Sequence, residues 1–391
     1  MNEQAMRAMF ALIRLVVCGA ELTLQDKEAL TPELLPKLYA LSKSHDMAHI
    51  MAQGLSDLGL LGEDEISQKF QKQQMLAVYR YQNLNHELNR ICQTLEDAKI
   101  PFIPLKGSVL RQYYPAPWMR TSCDIDVLVH EEALDRAVAL LEEKGYKSES
   151  KGLHDISLYS SGGIHLELHY ETVEENRAVN ANAILSGIWE HAMPKSADSS
   201  HMTLTDEMFY FYHVAHLAKH FENCGSGIRP FLDLWILEHC VEHDDTNRNA
   251  LLQQGGLLTF ANVSRRLSEI WFGDAQHDEV TEQMQSFVLS SGIYGTLDNR
   301  VAIQRNQHGG KIRYVLSRIF MPYDSLRKLY PILNKHKWLT PVMEVRRWFR
   351  ILLKGRIKSS IREINVSQTI SQEQVTRTAE LLQNLGLDKS L

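Results

Sequence analysis

Phe102-Ile103-Pro104-Leu105-Lys106-Gly107-Ser108 and, a little downstream, Cys123-Asp124-Ile125-Asp126-Val127-Leu128-Val129 are the two stretches on which the reading of this chain turns. In the second, Ile125, Val127 and Val129 alternate with Asp124 and Asp126. A strand here sends its apolar side chains to one face and two carboxylates to the other. Like charges held that close repel unless a cation sits between them. Oxygen ligands on a rigid strand suit Mg²⁺, which takes one or two carboxylates and fills its shell with water and substrate phosphates. Upstream, Gly107-Ser108 follows a short apolar run and precedes an expected helix over residues 109–114. A glycine and a hydroxyl at a helix start let backbone and side chain approach a phosphate. Asp-x-Asp alone is a weak signal, because solvated strand faces often carry acids.

Joined to Leu105-Lys106-Gly107, Tyr114-Pro115 and Arg120, the Asp124–Val129 stretch resembles the bacterial nucleotidyltransferases of uncharacterised substrate, a branch of the polymerase-beta-like nucleotidyltransferase superfamily. The superfamily pattern is a Gly-Ser turn, an apolar-flanked Asp-x-Asp strand and a third acid on a later strand. Fifteen residues separate Ser108 from Asp124, longer than the superfamily's usual spacing and similar to this branch. The resemblance implies an α+β fold, a small mixed sheet with helices, flanked by N- and C-terminal helical regions. It makes Glu167, in Ile164-His165-Leu166-Glu167-Leu168-His169, the third acid. Asp124, Asp126 and Glu167 then converge as catalytic residues and ligands for Mg²⁺, with Mn²⁺ as a substitute. Gly107 and Ser108 would cradle the β and γ phosphates of a nucleoside triphosphate, and Lys106 or Arg120 would neutralise developing charge. In the resembled family a His-rich helix and an Arg-x-x-x-Asp-Leu element follow the core. Arg229 and Asp233-Leu234 match the latter, which makes Lys219, His220 and Arg229 candidate phosphate or acceptor contacts.

The whole chain sets outer bounds. Its 391 residues suffice for a sizeable core and two or three domains, read as a helical region over 1–95, the catalytic core over 96–200 and a C-terminal helical domain over 201–391. A net charge of −6 argues against a protein that coats nucleic acid along its whole surface. Cys18, Cys92, Cys123, Cys224 and Cys240 show no CxxC spacing, so neither a disulfide framework nor a zinc ribbon is expected, and a reducing cytoplasm is the simplest home. The apolar run from Met9 to Cys18 is broken by Arg14 and reads as an amphipathic helix rather than a signal peptide. No run approaches the roughly eighteen to twenty apolar residues that span a bilayer, so no integral membrane contact is expected.

Along the chain, Thr31-Pro32-Glu33 predicts a helix start, and a long helix is expected over 66–98. His45 and His49, at i and i+4, have no third ligand nearby and read as a packed helix face. Residues 131–144 read as a helix ended by Gly145, and Ser160-Ser161-Gly162-Gly163 as a hairpin turn that delivers Glu167 beside the aspartates. His154 and His169 fall near the cleft, more often a structural than a direct role. Thr205-Asp206-Glu207 caps a helix that carries His213, His216 and His220 on one face, read as lining a cleft or packing internally rather than binding metal. Residues 311–362 hold about fourteen Lys and Arg against Asp324 and Glu344, and interleave Tyr314, Phe320, Tyr330, Trp338, Trp348 and Phe349. Such a patch can bind RNA, with phosphates on the charges and bases on the rings, or a membrane surface or anionic partner. The plainer reading makes the aromatics core and the charges a solvated face.

The implied reaction moves a nucleoside monophosphate from a triphosphate to a hydroxyl of an unidentified acceptor, with a small molecule favoured over RNA or protein. Two other readings fit the same residues. One is a non-catalytic nucleotide-binding scaffold; the other is a toxin-like nucleotidyltransferase acting on tRNA or protein.

Overall fold

The computed structural model describes residues 2–152, 154–172, 179–293, 295–353 and 357–388. Strands β1 (Phe102–Pro104), β2 (Asp124–Val129), β3 (Lys147–Lys151), β4 (Asp155–Tyr159) and β5 (His165–His169) form one sheet in the order β1-β2-β5-β4-β3. Only β2 and β5 run parallel among these pairs; the others are antiparallel. A separate hairpin pairs β6 (Ala192–Pro194) with β7 (Met202–Leu204). Helices surround both, giving the α+β architecture that the resemblance implies.

Alternation sorts the large sheet into two faces. Ile125, Val127 and Val129 of β2, with Leu166 and Leu168 of β5, are buried against Leu84, Ile91 and Leu95 of the helix Glu65–Asp97 and against Leu134, Ala137 and Leu141 of the helix Leu134–Glu143. Each such aliphatic side chain contributes about 1.5–3 kcal/mol when fully buried. The carboxylates are therefore left on the opposite face. The β4–β5 turn closes as its sequence predicts: Ser160 N–H donates to the Ile164 carbonyl at 2.9 Å, and Gly163 takes the left-handed φ of +78° that a side chain would resist.

A second, larger core joins helices from before and after the sheet. The helix Glu3–Val16 buries Met9, Leu12 and Ile13 in the same apolar interior as Phe221, Phe231 and Phe260, and Phe10 stacks on Trp271 with centroids 5.0 Å apart. Where this core meets the sheet, a buried ion pair ties them. Arg120 Nε donates to Asp233 Oδ1 at 2.8 Å and Oδ2 at 3.0 Å, and the Tyr114 hydroxyl donates to Oδ1 at 2.7 Å.

Local expectations fail in three places, each for a physical reason. The helix expected at Thr31 begins at Leu35, because Pro36 has no N–H to give and is accommodated only in a first turn; residues 32–34 form a turn instead. The helix expected over 109–114 starts earlier, at Gly107, ends at Leu110 and gives way to a 3₁₀ turn over Arg111–Tyr113. Strand β3 is absent from the sequence reading because Lys147-Ser148-Glu149-Ser150-Lys151 has no apolar alternation. It is a charged edge strand with a register shift between Ser148 and Ser150, the composition that discourages edge-to-edge pairing.

Asp233→Ala leaves the Arg120 guanidinium buried without its counter-charge, and is expected to destabilise the fold by about 3–5 kcal/mol. Urea unfolding monitored by circular dichroism measures this; a loss below about 1 kcal/mol would show that the pair does not hold the two cores together.

Candidate active site

Parallel pairing of β2 with β5 sets Asp126 opposite Glu167 and Asp124 opposite His165. Because side chains on paired residues share a face, Asp124, Asp126, Glu167 and His169 all project from one side of the sheet. Asp126 is buried, and its Oδ1 accepts from Lys106 Nζ at 2.8 Å and from His169 Nε2 at 2.9 Å. His169 Nε2 also lies 3.5 Å from Glu167 Oε2. Lys106 reaches Asp126 from a turn in which its own φ is +49°, a conformation that costs an L-residue about 1–3 kcal/mol. That turn is pinned by the Leu105 N–H, which donates to the Asp126 carbonyl at 3.0 Å.

The charges are strongly biased. Burial would raise the Asp126 carboxyl, but the Lys106 ammonium and then the His169 imidazole outweigh it and hold the group well below the usual carboxylate range. His169 answers in kind: burial opposes its charge, yet its bonds to Asp126 and Glu167 push it up to about 9. The bond from His169 lowers Glu167 as well, against burial and the repulsion of Asp126. Asp124 moves the other way, raised by burial and then by the negative charges of Asp126 and Glu167.

These side chains form one wall of a cavity of about 410 Å³. The helix Asp206–Asn223 also lines it, through His213, His216, Lys219 and His220, as does Arg229 at the start of the next helix. His216 and His220 bring their Nε2 atoms within 3.1 Å of each other, and His213 Nε2 contacts the Pro230 carbonyl at 3.0 Å. The expectation that the histidine face lines a cleft matches this placement. Arg229 Nη1 donates to the Thr121 carbonyl at 3.1 Å and lies 3.4 Å from Asp46 Oδ2. Arg120 lines the cavity while paired to Asp233, with Nη1 donating to the Thr121 carbonyl at 2.6 Å. Gly107 is hemmed in: a Cβ there would meet Ser122 Cβ at 3.3 Å and Arg120 Nη1 at 3.4 Å. Ser108 is not among the residues lining the cavity; the serine that lines it beside Gly107 is Ser122.

Three participants escaped the sequence reading. Arg111, buried, donates from Nε to the Gly107 carbonyl and from Nη2 to Ser122 Oγ, both at 2.7 Å, and so braces the turn from behind. Its i+4 spacing from Gly107 was the available signal. Ser122 carried none, because its place depends on the turn. His45, read as a packed helix face, is almost fully buried and lines the cavity, and neither ring nitrogen makes a hydrogen bond of ordinary geometry. His154, by contrast, sits at the rim with Nδ1 2.8 Å from Glu171 Oε2.

A family model described as uncharacterised nucleotidyltransferase matches residues 32–273, well over half of the chain and all of the cavity but Ile293. The chain belongs to that family. It is thus a nucleotidyltransferase, an enzyme whose substrate is a nucleotide. No curated protein matches it.

Nucleotidyltransferases generally use divalent metals, and the donor set here fits one. Asp124, His165 and Glu167 offer ligand atoms within 4.8 Å of one another, as do Asp126, Glu167 and His169, so Glu167 belongs to both groups. The hard carboxylate oxygens are the donors such ions prefer. His165 Nε2 is buried without a hydrogen-bond partner.

Burial pushes the His45 imidazole down from its ordinary 6.5 to about 4. A base whose folded pKa is depressed stabilises the fold above its unfolded pKa and loses that contribution as pH falls toward the folded value. His45 therefore costs stability between pH 6.5 and 4, as does His201, also pushed down to about 4 by burial, whereas the raised His169 acts only between 6.5 and about 9. His45→Asn is expected to lose about 2–3 kcal/mol less than wild type between pH 6.5 and 4.5. Urea titrations at the two pH values test this; parallel losses would mean that His45 is protonated freely in the folded state.

Proposed function

We propose that the cavity between the large sheet and the helix Asp206–Asn223 transfers a nucleoside monophosphate from a triphosphate to a hydroxyl of a small acceptor, with Asp124, Asp126 and Glu167 as its metal-holding and catalytic residues. One observation carries this reading: the Asp126–Glu167 register puts carboxylates from two adjacent strands into a cavity that histidine, lysine and arginine side chains also line. The acids suit divalent cations and the bases suit phosphates. Mg²⁺, or Mn²⁺ in its place, would be held by Asp124, Asp126 and Glu167 and would supply charge stabilisation to the entering and leaving oxygens when bound.

The protein's own groups do the rest. Gly107 lines the cavity beside Lys106, whose ammonium at Asp126 would meet the charge that develops on the triphosphate. Lys219, His220 and Arg229 line the same space and would orient phosphate or acceptor. Arg120 contributes by holding the Thr121 segment through Asp233 rather than by reaching the phosphates itself. Glu167, with its carboxyl below the usual range, serves better as an electrostatic group than as a strong base toward the acceptor. A volume of about 410 Å³ falls within the span of small-molecule sites, roughly 300–1,000 Å³, and suits a ligand of nucleotide size.

Calorimetric titration with each of ATP, GTP, CTP and UTP, with and without Mg²⁺, tests the donor side. Metal-dependent binding of a nucleotide that Asp126→Asn abolishes is the expected outcome. Turnover with that donor should fall by at least about 10²-fold in Asp124→Asn, Asp126→Asn and Glu167→Gln, and chelation should stop it until Mg²⁺ or Mn²⁺ returns. Full activity in any of the three variants would remove that residue from the site.

A further inference from the structure

Outside the family match, the segment 311–350 departs sharply from the rest of the chain. It holds ten Lys and Arg against Asp324 and Glu344, while the whole protein is net −6. Ten of the fifteen exposed large hydrophobic side chains among the described residues also fall within it, between Ile312 and Phe349. That combination is not the solvated helix face that the charges alone suggest.

The exposed apolar residues follow helical spacing. On the helix Lys311–Ile319 and the residue after it, Ile312, Leu316, Ile319 and Phe320 recur at i, i+4, i+7 and i+8, while Tyr314 points inward and is fully buried. Trp338, Val342, Val345 and Phe349 recur at i, i+4, i+7 and i+11, entering and following the helix Thr340–Leu353, whose Met343 and Arg347 are buried. The two helices meet beside the stripes. Phe320 and Trp348 lie with ring centroids 5.6 Å apart, and Trp348 Nε1 donates to the Ile319 carbonyl at 2.8 Å. Trp338 remains 74% exposed and Ile312 76%, a cost in water that a solvated surface would not maintain over so many neighbours. Exposed Arg313, Arg346 and Arg350 flank the stripes on the same helices, and Lys335 and Lys337 precede the second one.

We propose that this face docks peripherally on an anionic lipid surface. Apolar stripes with Trp and Phe, bordered by Lys and Arg, are what lies at the boundary between headgroups and acyl chains. No helix among the described residues is long and apolar enough to cross a membrane, so the contact is in the plane of the surface. Charge selects the occupant. A second copy of the chain would present the same positive segment and be repelled, whereas anionic headgroups attract it. RNA would meet the charges, but five of the eight stripe residues are aliphatic and offer bases nothing to stack upon.

Co-flotation of the full chain with vesicles of phosphatidylcholine alone, and of phosphatidylcholine mixed with phosphatidylglycerol, tests the proposal. Binding is expected to the mixed vesicles only, to weaken as salt rises, and to bring a blue shift in tryptophan emission. The double variant Trp338→Ala/Phe349→Ala changes only exposed positions; it should keep its circular dichroism spectrum and lose vesicle affinity by at least about tenfold. Failure to bind the anionic vesicles overturns the proposal, as does binding that the double variant leaves intact. Retention of a single-stranded RNA without vesicle binding would reassign the face to nucleic acid, and a dimer dissolved by the double variant, again without vesicle binding, would reassign it to a second copy.

Discussion

A buried carboxylate must be answered by positive charge, and Asp126 is the carboxylate on which this molecule turns. Its side chain is almost entirely out of water, where an isolated charge is too costly to keep. Two cations reach it at hydrogen-bonding distance, Lys106 from the turn before β2 and His169 from the end of β5. Three pieces of chain are thereby fixed together. The turn accepts a strained backbone at Lys106, β5 must pair in the register that brings His169 within reach, and Glu167 comes along two residues away on the same face. Glu167 could not be moved off this face without a one-residue slip that would also turn Leu166 and Leu168 out of the core.

The sheet can afford this polar face because its other side buries an apolar core through β2, β4 and β5, and because a buried joint holds the neighbouring helices to it. Arg120, Asp233 and Tyr114 form the joint between the loop before β2 and the helix Arg229–His239. All three are buried, so the joint tolerates little sliding. Arg120 therefore shapes the cavity through its partner, and the Arg-x-x-x-Asp-Leu element divides its labour: Asp233 locks the helix while Arg229 faces the open space.

Much of this was legible in the sequence because it rests on period-two alternation. Ile125, Val127 and Val129 against Asp124 and Asp126 announce both faces of β2, and Ile164 to His169 does the same for β5. The long helix Glu65–Asp97 and the Gly163 turn were equally plain. What could not be read depends on contacts between distant residues. Nothing local marks Lys147–Lys151 as a strand, since an edge strand needs no apolar face, and nothing local distinguishes Ser122 from Ser108 beside the Gly107 turn. His45 looked like one residue of a helix face; only the fold puts it against the cavity.

Composition misleads in the same way, because it averages over surfaces that never meet a partner together. A net charge of −6 conceals both the basic segment over 311–350 and the smaller opposition inside the cavity. There Asp124, Asp126 and Glu167 stand on the sheet with Lys106 and His169 among them, and the helix Asp206–Asn223 adds Lys219 and three histidines to the lining. Under the proposed reaction a triphosphate carries charge of one sign and its metal partners the other. Under that reading the carboxylates and the cations beside them would favour one orientation of the pair, since reversing the ligand would set phosphate against carboxylate at low effective dielectric.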